Sequence, residues 1–135
     1  MSSAKPETRF YTAVNRLVSK SIHREKMHNP YRGGTADVWY SGTADDLWVE
    51  YKWLATVPKT AEIQVSHLLS PLQLQWLKER YEEGRNVVVI LGSPEGAWVF
   101  ERRAWEGTLH PAQLRDEGLS KQDVADYIRR RTMIK

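Results

Sequence analysis

The chain contains no cysteine among its 135 residues. This excludes disulfides, cysteine-ligated zinc and thiol catalysis, and it fits a reducing compartment. No apolar run is long enough to span a membrane, and the first residues lack the apolar centre of a signal peptide, so the sequence predicts a cytoplasmic protein without a membrane partner. Internal repeats, linkers and low-complexity tracts are also missing. The length suits one domain, 1–135, large enough to bury a core. Six Trp and six Tyr supply bulky side chains. Such rings fill cores and also stack on bases, so composition alone does not choose between the two uses.

The formal charge of +3 is modest, but it is unevenly spread. Met1 to Arg32 carries seven Lys or Arg against two acids, whereas Gly33 to Ala61 carries two against four. A basic arm thus precedes an acidic centre. That arrangement suits carboxylates holding a cation while flanking cations, Arg24, Lys26 and Arg32 among them, neutralise phosphates. An ordinary basic surface is the competing explanation.

The acidic centre reads as a strand hairpin from Gly34 to Trp53, two runs rich in Val, Trp and Tyr around a polar turn with Gly42, Asp45 and Asp46. Side chains alternate faces along a strand, so Leu47, Val49, Tyr51 and Trp53 share one face and Trp48, Glu50, Lys52 and Leu54 the other. Opposite charges between Trp48 and Leu54 suggest a semi-buried ionic site. On the first run Asp37 shares a face with Trp39, opposite Ala36, Val38 and Tyr40, and pairing of the strands would bring Asp37 to Glu50. Two carboxylates and an amine suit metal-assisted hydrolysis of a phosphodiester. Carboxylates hold a hard cation such as magnesium, which polarises a phosphoryl group and acidifies a bound water, and Lys52 would orient or deprotonate that water or stabilise developing charge. A cross-strand salt bridge among the same three residues is the structural alternative.

Gly34, Asp37, Glu50-Tyr51-Lys52, Leu69-Ser70-Pro71-Leu72-Gln73 and Gly84-Arg85-Asn86-Val87-Val88-Val89 form an ordered series. It resembles the PD-(D/E)XK nuclease superfamily, and most of all the small stand-alone VRR-NUC-type nucleases of short-tailed bacteriophages. Ala36 stands where the signature has Pro, and no Val-Arg-Arg tripeptide is present. The resemblance implies an α/β, restriction-endonuclease-like αβββαβ core with a mixed sheet, a magnesium or manganese cofactor and a nucleic-acid substrate. It implies Asp37 and Glu50 as metal ligands with the Tyr51 carbonyl, Lys52 as the catalytic lysine and Gln73 as an accessory site residue. Glu7 matches a helix glutamate that lies near the metal in many members, although an acid favoured by a helix N-terminus explains it as well. Junction resolvases occur among stand-alone nucleases of this type. The implied function is therefore DNA endonuclease, with branched DNA or a Holliday junction as substrate, a homodimer as the acting form and a bacterial host cytoplasm as the setting.

The remaining elements follow from caps and periodicity. Pro6 to Ile22 reads as the first helix and His23 to Arg32 as a basic loop. Glu62 to Val65 reads as a short strand. A helix then begins with Ser70 as cap, Pro71 in the first turn and Gln73 completing a capping box, buries Leu74, Leu77 and Tyr81, and stops at Gly84. Its N-terminus, with Ser70 and Gln73, also suits a phosphate. Asn86 to Leu91 predicts a central strand and Gly96 to Glu101 a second one. A helical turn is expected at Pro111 to Arg115, and a last helix from Ser120 to about Arg131 with Val124, Tyr127 and Ile128 inward. Its Arg129-Arg130-Arg131 end suits the helix C-terminus or a phosphate. Trp98 and Trp105 are candidates for the apolar part of a dimer interface. A catalytically inert nucleic-acid-binding protein and a protein-partner module remain as competing classes.

Overall fold

The computed structural model describes residues 5–27 and 33–134. Helix α1, Pro6–Leu17, starts with Pro in its first turn and buries Phe10 and Val14, one turn apart. It stops short of the expected Ile22. Ser19 and Ser21 turn the chain by bonding each other's hydroxyls at 2.8 Å, a local alternative to helical bonds. The Arg24 guanidinium then collects the carbonyls of Asn15, Val18, Ser19 and Ile22. Val18 and Ile22 still enter the core from outside the helix.

The expected basic loop after Ile22 contains strand β1, His23–Lys26. It pairs antiparallel with β2, Val38–Ser41, which pairs antiparallel with β3, Asp46–Trp53. As a charged, exposed edge strand, β1 shows none of the apolar alternation by which strands are read.

The chain leaves β3 and forms β4, Ile63–Gln64, which pairs with β7, Thr108–Leu109, in a separate ribbon. Val65, expected in the strand, begins a short 3-10 turn instead. Helix α2, Pro71–Glu82, then leads to β5, Val87–Gly92, parallel to β3 and buried throughout. Strand β6, Trp98–Phe100, closes the sheet antiparallel to β5, giving the order β1-β2-β3-β5-β6. The elements α1, β1 to β3, α2 and β5 form an αβββαβ series, its first strand supplied by the segment expected to be a loop while Ile63–Gln64 lies outside the main sheet. Two more helices follow, α3, Pro111–Glu117, and α4, Lys121–Met133.

Alternation on β3 divides the core. Leu47, Val49 and Tyr51 face α1 and α4, joined by Val38, Tyr40, Val124 and Ile128. Trp48 and Leu54 lie on the opposite face with Leu77, Val87, Val89 and Trp105. The stripe on α2 is narrower than predicted. Leu77 is buried, but Tyr81 is exposed and instead packs edge-on to Trp105. Trp105 is 0 % exposed, so it belongs to the core and cannot form an interface. Of the arginines closing α4, Arg131 turns back to Glu101 at 2.6 Å and to the Tyr127 hydroxyl. No helix is long and apolar enough to cross a membrane among the described residues.

Gly34 locks the approach to β2. Its φ is +99°, and a Cβ there would collide with the Leu72 carbonyl in the first turn of α2. Gly34→Ala should therefore destabilise the fold by at least ~1–2 kcal/mol from the left-handed backbone alone, read as a lowered thermal midpoint. An unchanged midpoint would show that this contact does not hold the segment.

Candidate active site

The ladder of β2 and β3 sets Val38 opposite Val49 and Trp39 opposite Trp48. Continued by one residue, it brings Asp37 beside Glu50, on the face that also carries Lys52. Glu50 is 1 % exposed. One of its carboxylate oxygens, Oε2, accepts from the Gln73 amide at 3.1 Å and lies 3.4 Å from the Lys52 ammonium. The other, Oε1, is buried with no hydrogen-bond partner among the described residues. The Asp37 Oδ2 atom accepts from the Tyr51 backbone N–H at 2.9 Å.

These contacts set two carboxyl groups against one ammonium. Burial is the main force raising the Glu50 pKa, the Asp37 carboxylate adds to it, and Lys52 offsets only part, so the group is pushed up to about 8. Two carboxyl groups thus share one ammonium, and a bound cation would balance the second. Hard divalent cations take oxygen donors of this kind and keep several waters, so the donor set fits magnesium or manganese. No cluster of three or more His, Asp or Glu suited to a metal occurs among the described residues. The ligand set would thus be the Asp37 and Glu50 carboxylates with a backbone carbonyl. Tyr51 suits that role because the N–H and C=O of one strand residue point to the same side, here the side of Asp37.

Rigid elements hold the donors. The Tyr51 ring packs edge-on against Phe10 and Tyr11, with centroids 5.8 Å and 5.4 Å away. Its hydroxyl lies 2.7 Å from that of Tyr40, which donates to Asn15 at 2.5 Å. This buried network fixes the backbone between Glu50 and Lys52. Gln73 serves two roles at once. Its Oε1 accepts from the Ser70 N–H at 2.9 Å, completing the capping box of α2, while its Nε2 reaches Glu50. Ser70 in turn accepts from the Gln73 N–H at 3.1 Å.

Glu7, for which the capping explanation has the stronger sequence support, is half-buried at the start of α1 and interacts with Lys52, Asp37 and Lys26. Burial is the main cause of its raised pKa. Lys26 sits 4.7 Å over the Tyr11 ring. Arg24 differs from the expectation of a free phosphate contact, because its guanidinium is spent on the carbonyls that end α1. Arg32 lies outside the described residues. The Tyr40–Asn15 bond was not anticipated, and the only sequence signal for it is a tyrosine at an inward position of β2.

No protein-family model matches the chain, and no curated protein matches it. The fold is similar to that of Hjc, a Holliday junction resolvase from the archaeal hyperthermophile Archaeoglobus fulgidus, whose structure is known at 1.6 Å resolution. The TM-score is 0.51 and the identity 14 %, over 90 % of this chain and 97 % of that one. The five-stranded mixed sheet flanked by helices is thus the nuclease-like fold of Hjc. At this identity the likeness is one of fold.

Burial of Glu50 predicts a pH effect of definite sign. Between its ordinary pKa of 4.5 and about 8 the folded state keeps a proton that the unfolded state has lost. Stability therefore falls as pH rises through that window. In a chelator, wild type should lose stability with pH more steeply than Glu50→Gln, by about one proton in the linkage slope. Parallel urea-unfolding series from pH 5 to 8 measure this, and equal slopes would contradict the assignment.

Proposed function

We propose that the chain is a divalent-metal-dependent endonuclease that hydrolyses DNA phosphodiester bonds. The observation that carries this reading is the buried Glu50, whose carboxyl group is coupled to Asp37 and lies 3.4 Å from the Lys52 amine. Asp37, Glu50 and the Tyr51 carbonyl would hold magnesium or manganese. The chemistry supplied by a bound ion is polarisation of the phosphoryl group and acidification of a water.

The protein's own groups do the rest. Lys52, its side chain 16 % exposed, reaches solvent from the Glu50 carboxylate, so it can orient the attacking water and offset charge developing on the phosphate. Gln73 fixes the rotamer of Glu50, since its amide is itself held by the cap of α2. Glu7, at the start of α1, adds a third carboxyl group that interacts with Lys52 and Asp37. Lys26 and Arg32, with the α2 N-terminus at Ser70, would take flanking phosphates.

We assign branched DNA, a four-way junction foremost, as substrate. The fold shared with a Holliday junction resolvase supports this. One domain has one site and cuts one strand at a time. Paired cuts need a two-fold dimer, for which the half-buried Trp98 on edge strand β6 offers apolar surface. Kinship with the VRR-NUC-type nucleases of short-tailed phages, acting in a host cytoplasm, rests on the ordered motif series.

Asp37→Ala, Glu50→Ala and Lys52→Ala should each reduce magnesium-dependent nicking by orders of magnitude, with circular dichroism showing the variants still folded. Full activity of Glu50→Ala would end the assignment. Sedimentation at micromolar concentration, with nicking of a four-way junction against a matched linear duplex, tests the finer reading. A monomer that cuts both equally fast would exclude it.

A further inference from the structure

The face that carries Asp37 and Glu50 also carries a row of indoles. Trp39 and Trp48 are directly opposed across β2 and β3, one same-face position along the ladder from the carboxylate pair. That step is about 7 Å. Their rings stack at 27° with centroids 6.0 Å apart. Trp76, one turn along α2 from Gln73, meets Trp48 edge-on at 5.5 Å, and the Arg80 guanidinium lies 5.7 Å over Trp76. At the outer end, His23 stands edge-on to Trp39 at 5.4 Å and bonds Glu25 at 3.0 Å.

This row is not ordinary core. All three indoles are mostly buried but keep an exposed edge; Trp48 and Trp76 also pack against the second core, whereas Trp39 belongs to neither buried cluster. On this face α2 packs over β5, whereas α1 and α4 cover the opposite face of β2 and β3. Partly exposed rings gathered on one face, unlike ones scattered singly, point to an interaction surface. What could bind is set by the neighbours. A carboxylate pair suited to a cation lies one step away, cationic Lys52 and Arg80 flank the row, and the rings offer π surface to any base.

We propose that Trp39, Trp48 and Trp76 form a stacking platform for an unpaired base next to the phosphate held at Asp37 and Glu50. The location of that phosphate rests on the nuclease reading above, while the platform itself is a binding surface. A base inside a continuous duplex already stacks on both sides and cannot reach the indoles without unpairing. The platform therefore selects DNA with unpaired nucleotides at the cleavage position, as at a flap, a single-stranded end or a branch point whose pairs have opened, over intact duplex.

The test uses binding without cleavage. In EDTA, fluorescence anisotropy of a labelled single-stranded oligothymidylate and a matched duplex is measured for wild type, Trp39→Leu and Trp48→Leu, with circular dichroism as a check on folding. The single strand should bind wild type more tightly than the duplex, and each substitution should weaken it by about tenfold, leaving the duplex unchanged. Equal losses on both substrates, no loss, or no oligonucleotide binding by wild type would overturn the proposal. For a readout that needs no variant, a strand carrying 2-aminopurine should lose fluorescence on binding to wild type as the base stacks on indole. An unchanged or rising signal would overturn it equally. Cleavage is scored separately, so failure to cut with stacking intact would count against the nuclease reading alone.

Discussion

The structure depends on a carboxylate placed where it is costly. Glu50 lies in the middle of β3, buried beneath α2, with a second carboxylate in front of it and one ammonium at its side. Transferring a carboxylate from water without full compensation costs several kcal/mol on the order of magnitude usual for buried ions. The fold tolerates this because it surrounds Glu50 with two large cores. The all-buried β5 pairs with β3 along its length, and apolar side chains fill both faces.

Around that carboxylate the supporting elements serve position as much as stability. The glycine before Asp37 lets the backbone press against α2, the start of α2 sends Gln73 back to Glu50, and the tyrosine between Glu50 and Lys52 is anchored in the opposite core. Packed neighbours and a second layer of hydrogen bonds hold side chains in a fixed geometry. Asp37, Glu50 and Tyr51 each have such a support. Arg24 contributes further back, since by collecting the carbonyls at the end of α1 it sets where that helix stops and where β1 begins.

Much of this was legible in the sequence, because local rules and the fold agree over most of its length. Alternation assigned the two faces of β3 correctly, and Ser70-Pro71-Gln73 marked the start of α2 to the residue. What periodicity could not reveal was β1, whose exposed His23, Arg24, Glu25 and Lys26 carry no apolar pattern. Nor could it reveal the fate of single side chains. Trp105 and Trp98 look alike in sequence, yet one is buried by a 3-10 turn and the other lines a sheet edge. The double role of Gln73 was likewise hidden, since a capping residue is fully explained without its amide nitrogen. The indole row emerges only when β2 and β3 are set in register and α2 is laid across them.

The central claim is that the raised Glu50 carboxyl gives up its proton to receive a divalent cation. Metal binding to a protonated ligand releases that proton, and with a pKa pushed up to about 8 the carboxyl is mostly protonated at neutral pH. Calorimetric titration of manganese at pH 7, repeated in buffers of different ionisation enthalpy, counts the protons released. The account predicts close to one proton per ion, declining as pH rises past 8, and no measurable binding by Glu50→Gln. Binding without proton release, or equal binding by Glu50→Gln, would contradict it.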